Sequence, residues 1–266
     1  MVAFTSSPKE QNIEIAGIAA LFSESFIQSL PNLEALLVRK APFNEIFQCQ
    51  GVGGKEEHPG APARLSEVTL IELPELTDIW KEEYQIGEIF SNLGTLEMSK
   101  CDKLKTLVPS SVYLKNLTTL QVSNCHGLKN LVSIPTAKSL VVLTKMIVTN
   151  CQMIEEIIAH GSDDVKDSIV FSQLESSAIG SLPSLSSFCS GNYAFGFPSL
   201  EEVIVTNCRK MKIFCRGELT APSLQRVKFA EDKEHWDGNV NTTMEKIFIE
   251  MNSIAEEGCL TQAQAG

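Results

Sequence analysis

Hydrophobic positions along this chain follow a short code that recurs. Between Leu117 and Leu131 they fall at Leu117, Leu120, Val122, Cys125, Leu128 and Leu131, with other residues between. The alternation around Leu120 and Val122 predicts a short strand with one buried side. The three-residue steps that follow fit neither a strand nor one long helix. They predict a chain that turns a corner at Cys125 and returns along a curved back. The spacing recurs from Leu33, Leu65, Leu93, Leu143, Leu174 and Leu200, and an incomplete copy starts at Leu224. Successive copies begin 24 to 32 residues apart.

This frame is the leucine-rich-repeat signature L-x-x-L-x-L-x-x-N/C-x-L. The predicted fold is α/β, a curved leucine-rich-repeat solenoid. A short-stranded parallel sheet lines its concave face, and the convex side is irregular or short-helical. Residues 1–27 are expected to be an N-terminal extension or a degenerate cap repeat. Ile13, Ile15, Ile18 and Leu21 match inner positions, but Glu10 stands where the first leucine belongs. The first ten residues show no period and are expected to fray. Residues 28–236 are read as a solenoid of about eight repeats, and 237–266 as a capping helix, centred on Met244 to Met251, with a flexible tail. The stretches Gln48 to Ala63 and His160 to Asp167 have loop chemistry and should lie off the strand face.

Strand side chains alternate, so the residues flanking each buried pair face solvent. In the opening stretch these are Thr119, Gln121 and Ser123. Equivalent positions are Ala35, Leu37 and Arg39; Glu67, Thr69 and Ile71; Thr95, Glu97 and Ser99; and Lys145, Ile147 and Thr149. Later repeats contribute Ser176, Ala178 and Gly180; Glu202, Ile204 and Thr206; and Arg226, Lys228 and Ala230. Aliphatic side chains among polar neighbours fit a protein-binding surface, although β-branched residues also simply suit strands.

Composition narrows the function classes. A net charge of −11 argues against nucleic acid as the main partner. The nearly uninterrupted apolar run from Ile15 to Phe22 is too short to span a bilayer and follows Glu10 and Glu14, the wrong flank for a signal peptide. N-x-T sequons at Asn116 and Asn241 are the features that favour secretion. The 8 cysteines include no C-x-x-C pair, so neither a disulfide scaffold nor a zinc site is expected. Cys101, Cys125, Cys151 and Cys208 share one repeat position, which needs a small buried side chain; Leu73, Leu182 and Ala41 replace them elsewhere. Gly51 to Lys55 suggests a phosphate loop, but Cys49 stands at its first glycine and Glu56 at its hydroxyl position. His58, His126, His160 and His235 are scattered, with His160 following a helical-looking Ile-Glu-Glu-Ile-Ile-Ala stretch. No catalytic residue, cofactor or metal is expected. One basic cluster stands out: Arg209, Lys210, Lys212, Arg216, Arg226 and Lys228 could dock an acidic partner.

Three features together resemble a known family. They are the corner cysteine, the Leu-Pro-x-Leu variants at Leu73 to Leu76 and Leu182 to Leu185, and the Phe-x-x-Leu lead-ins at Phe90, Phe171 and Phe197. The ending, Ala221-Pro222-Ser223-Leu224 followed by Trp236 and Asn239-Val240-Asn241-Thr242-Thr243, is similar to the close of the same arrays. Roughly residues 28 to 252 resemble the C-terminal leucine-rich repeats of plant coiled-coil nucleotide-binding (NBS-LRR) disease resistance proteins. The resemblance implies a non-enzymatic, cytoplasmic recognition module in plant defence. It would bind pathogen-derived or guarded host proteins and restrain a nucleotide-binding module in cis or in trans. No segment of these residues reads as a coiled coil or nucleotide-binding module, so the chain is expected to keep the recognition part, with Ile13 to Phe22 as its candidate cap. A non-catalytic adaptor, such as a substrate-recognition element for a ubiquitin ligase, is the other expectation.

Overall fold

The computed structural model describes residues 2–7, 10–16, 33–46, 65–79, 90–110, 112–161, 167–230 and 232–263. The glycine-rich stretch from Gln48 to Ala63, with Cys49, Gly51 to Lys55 and His58, lies outside the described residues, as do Ile18 to Phe22 and 162–166.

Each repeat follows one course, set by hydrogen bonds at fixed places. The leading leucine closes a turn by donating its N–H three residues back: Leu93 to the Phe90 carbonyl at 3.1 Å, Leu117 to Leu114 at 3.2 Å, Leu224 to Ala221 at 3.2 Å. A strand follows, and then a single residue with φ of 52–55°: Lys40, Glu72, Lys100, Asn124, Asn150, Ser181 or Asn207. A second turn closes behind it, Leu104 donating to Cys101 at 3.3 Å, Leu185 to Leu182 at 3.2 Å and Met211 to Cys208 at 3.0 Å. The three-residue steps of the sequence are therefore β-turn steps.

The strands are β1 (Val2–Ser7), β2 (Glu10–Ala16), β3 (Leu33–Arg39), β4 (Glu67–Ile71), β5 (Thr95–Ser99), β6 (Thr119–Ser123), β7 (Val132–Ser133), β8 (Lys145–Thr149) and β9 (Ile158–Ala159). They continue with β10 (Ser168–Val170), β11 (Ser176–Gly180), β12 (Ala194–Gly196), β13 (Glu202–Thr206), β14 (Leu219–Thr220), β15 (Val227–Ala230) and β16 (Lys233–His235). The main sheet runs β1-β2-β3-β4-β5-β6-β8-β11-β13-β15-β16. Its pairings from β2 to β15 are parallel. Those of β1 with β2 and of β15 with β16 are antiparallel. The fold expected from the pattern, a leucine-rich-repeat solenoid, is the one observed.

The start of the chain departs from expectation. Residues expected to fray form β1, and β2 pairs in parallel with β3, Ile13 opposite Leu36 and Ile15 opposite Val38. A first strand in register thus precedes Leu33, and a hairpin partner occupies the sheet edge that would otherwise be open.

The back is more β-structured than its sequence suggests. β7 pairs with β9, and β10, β12 and β14 form a three-stranded sheet, beside one short helix, α1 (Ile134–Ser139). The segment around Glu155 and Glu156 that looked helical is bend and bridge, leading into β9. Between the two faces lies one continuous core. At its C-terminal end Phe171 stacks on Phe197 with ring centroids 5.3 Å apart, and Phe188 stacks on Phe214 at 4.6 Å. The Phe-x-x-Leu lead-ins therefore supply core rings as well as turns.

Helix α2 (Val240–Ala263) closes the array. Asn239 caps it, its Oδ1 accepting the Thr242 N–H at 2.9 Å. Asn241 reaches back to the last turn: its Oδ1 accepts from the Phe214 and Cys215 N–H groups at 2.9 and 3.1 Å, and its Nδ2 donates to the Cys215 carbonyl at 2.9 Å. Thr243 is fully buried, its hydroxyl 2.6 Å from the Asn239 carbonyl. The Asn-Val-Asn-Thr-Thr string is a set of clamps.

Candidate functional site

The parallel register stacks equivalent side chains into rows across the solvent side of the sheet. The central row reads Leu37, Thr69, Glu97, Gln121, Ile147, Ala178, Ile204 and Lys228. Before it runs Ala35, Glu67, Thr95, Thr119, Lys145, Ser176 and Glu202, and after it Arg39, Ile71, Ser99, Ser123, Thr149, Gly180 and Thr206. Strands β5 and β6 alternate half-buried and buried along their length, so the face residues retain solvent while Leu96, Met98, Leu120 and Val122 fill the core.

Two positions in the last repeats are already occupied with partners. Lys228 Nζ lies 2.7 Å from Glu202 Oε1 on the neighbouring strand. Arg226 precedes β15 and lies 3.6 Å from Glu234 of β16, so it is not part of the strand rows. At Gly180 a Cβ would stand 2.8 Å from Thr206 Oγ1, so the row keeps its smallest residue where the neighbouring threonine leans in.

The corner beside this face is a structure the hydrophobic pattern does not reveal. A non-glycine residue in the left-handed region costs about 1–2 kcal/mol. From Lys40 to Ser181 the corner N–H is held by the last strand carbonyl of the next repeat: Glu72 to Ser99 at 2.9 Å, Lys100 to Ser123 at 3.1 Å, Asn124 to Thr149 at 3.0 Å. Those carbonyls accept a second donor, the corner thiol of their own repeat: Cys101 Sγ to Ser99 at 3.5 Å, Cys125 to Ser123 at 3.4 Å, Cys151 to Thr149 at 3.3 Å. Each of these carbonyls thus has both lone pairs used, by one amide and one weak thiol donor. Burial pushes the Cys151 thiol up to about 12 and that of Cys208 to about 11. The Cys101 thiol is likewise raised, by its hydrogen bond with Cys125 and then by burial. The Cys125 thiol is shifted down, because it accepts the Cys101 hydrogen bond. Cys101, Cys151 and Cys208 are therefore held as protonated corner donors.

Corner side chains carry charge along the same edge. Glu72 accepts from Lys100 at 2.8 Å and has Lys40 at 3.8 Å on its other side. The Lys100 hydrogen bond, more than the two lysine charges, holds the Glu72 carboxyl below its ordinary range. The Asn124 and Asn150 amides bond to each other further along.

One polar cluster joins residues that sequence spacing keeps apart. His160 Nδ1 lies 3.1 Å from Glu156 Oε2 and 3.0 Å from Ser190 Oγ, which itself donates to Glu156 Oε1 at 2.5 Å. A nucleophile relay needs acid and hydroxyl on opposite imidazole nitrogens. Here both meet Nδ1, so the ring cannot pass a proton between them. The cluster ties β9 to the following repeat. Among the described residues no group of three or more His, Cys, Asp and Glu is placed to hold a metal ion. Nor, among them, is any helix long and apolar enough to cross a membrane.

The basic cluster divides. Arg226 and Lys228 are in ion pairs, whereas Arg209, Lys210, Lys212 and Arg216 gather around a cavity beside α2.

The family of plant disease resistance protein RPS2-like leucine-rich repeats matches this sequence over residues 12–115 and 112–217. The chain belongs to that family. Among solved structures, a leucine-rich repeat protein from Bacteroides ovatus ATCC 8483 is similar, at 12% identity, 91% coverage of both chains and a TM-score of 0.21. The fold assignment rests instead on the strand register and the family. No curated protein matches the chain.

Proposed function

We propose that this member of the plant RPS2-like leucine-rich-repeat family is the recognition module of an intracellular immune receptor. It would bind a pathogen-derived or guarded host protein in the cytoplasm and act on a nucleotide-binding module in cis or in trans. The observation that carries the reading is the set of registered rows on the solvent side of the main sheet. Rigid strands hold Thr95, Glu97, Thr119, Gln121, Lys145, Ile147, Thr149 and Ile204 at fixed separations of about 4.8 Å between strands. Such a surface offers aliphatic contact area with charges interspersed, which suits a folded protein partner. The reading assigns no catalytic step, and the His160 arrangement gives it no reason to.

The test combines Glu97→Lys, Lys145→Glu and Glu202→Lys in one chain. Capture of a partner by the wild type and loss of that capture in the variant, with an unchanged circular-dichroism melt, supports the assignment. Equal capture by both removes the sheet face from recognition.

A further inference from the structure

Cations gather around the cavity beside the C-terminal helix. Its volume is about 560 Å³, and Arg209, Lys210, Lys212 and Arg216 line it together with Ser187 and Phe248. That volume falls within the roughly 300–1,000 Å³ typical of small-ligand sites. The chain as a whole carries −11, so gathering these cations in one place runs against the overall sign. None of the four is in an ion pair among the described residues, unlike the neighbouring Arg226 and Lys228. Each is exposed, and none has a carboxylate that would compete with an incoming anion at salt-bridge distance among the described residues.

The walls are held in place. Arg209 and Lys210 sit inside the turn closed by Met211 N–H on the Cys208 carbonyl at 3.0 Å. Lys212 Nζ stands 5.4 Å from the Phe248 ring centroid, a cation–π distance that ties the ammonium to the helix. Asn241 ties Phe214 and Cys215, on the cation-bearing segment, to the helix that carries Phe248. Ser187, a lining residue only 3% exposed, has a hydroxyl without a hydrogen-bond partner among the described residues. A buried hydroxyl left open is costly unless something meets it, about 1–3 kcal/mol. The positive region has a boundary: Ser190, also lining the cavity, is taken up by Glu156.

We infer that this cavity binds a small polyphosphorylated molecule, its phosphate oxygens spread over Arg209, Lys210, Lys212 and Arg216. Guanidinium groups meet phosphate oxygens as forks and ammonium groups as point charges, and this site offers both kinds. It is separate from the sheet face and does not depend on protein recognition there.

The experiment is isothermal titration of the full chain with inorganic tripolyphosphate, with orthophosphate and a deca-glutamate peptide as contrasts. Saturable one-to-one binding of tripolyphosphate is expected, about tenfold or more tighter than orthophosphate, because several cations act at once. Lys212→Gln with Arg216→Gln should weaken it about tenfold or more, as should Arg209→Gln with Lys210→Gln. The charge-matched Lys103→Gln with Lys246→Gln, whose side chains lie outside the cavity, should stay within about twofold. Melting curves confirm that each variant is folded. Absence of saturable binding, an equal loss in the charge-matched variant, or tighter binding of deca-glutamate than of tripolyphosphate would each overturn the inference.

Discussion

Asn241→Ala should loosen the closing helix out of proportion to its size. The side chain makes three hydrogen bonds to the last turn, accepting from Phe214 and Cys215 N–H and donating to the Cys215 carbonyl. Phe214 and Cys215 are 2% and 1% exposed, so water does not freely replace the lost acceptor. Each hydrogen bond is worth about 0.5–1.5 kcal/mol net, and an orphaned buried donor costs about 1–3 kcal/mol. The expected loss is therefore about 2–4 kcal/mol, felt first as opening of α2 from the last turn. Asn241→Asp retains the acceptor for both amides but turns an oxygen, in place of the Nδ2 donor, toward the Cys215 carbonyl, so it should protect the Phe214 and Cys215 amides better than alanine while still falling short of wild type. Native-state hydrogen exchange reads this directly: the Phe214 and Cys215 amides should exchange far faster in Asn241→Ala, while those of Leu120 and Val122 in the middle of the sheet change little. If these two amides keep wild-type protection and the denaturation midpoint is unmoved, the clamp is not what holds the helix.

Three further perturbations separate the parts of the repeat. Gly127→Ala places a Cβ 2.5 Å from the Asp102 carbonyl oxygen and 2.8 Å from that of Leu104, both backbone, and should destabilise by about 1–3 kcal/mol in denaturant titration. Cys151, raised to about 12, should resist iodoacetamide at pH 8 in the folded chain and react on unfolding; mass spectrometry of the alkylated peptides decides it. Glu72 titrates below its ordinary 4.5, so its ion pairs contribute stability above that value and lose it as pH falls through the lower, folded one. Glu72→Gln should accordingly lower the neutral plateau slightly and flatten the acid limb of the stability–pH profile, the two proteins converging once Glu72 is protonated in acid.

The sequence carried the repeat frame because every repeat must bury the same positions, and Leu120, Val122 and Cys125 have counterparts wherever the chain comes round. Side-chain alternation then placed Thr119, Gln121 and Ser123 on the outward face without further information. What it did not carry was anything held by backbone geometry. Lys40, Glu72, Lys100, Ser181 and the asparagines at 124, 150 and 207 share a left-handed corner, yet their side chains have no common chemistry. In Lys40, Glu72, Lys100, Asn124, Asn150 and Ser181 the N–H is bonded to the next repeat, which leaves no mark on composition. The back sheet was hidden for a related reason: β7, β9 and β14 are two residues each, too short for alternation to register. Nor could spacing join Ser190 to Glu156 and His160, which meet only because successive repeats stack. The basic cluster was visible as a run of letters, but its division into Arg226 and Lys228, paired, and the four residues around the cavity, unpaired, needed the folded chain.

The central claim, that the sheet face does the recognising, is tested most directly by where a partner touches. A photo-crosslinking residue introduced at Gln121, in the middle of the central row, is compared with one at Val170, exposed on the back sheet. The account predicts that a partner competed away by unlabelled chain crosslinks from Gln121 and not from Val170, and that Glu97→Lys with Lys145→Glu abolishes the product. Crosslinking of that partner from Val170 with none from Gln121 would contradict it.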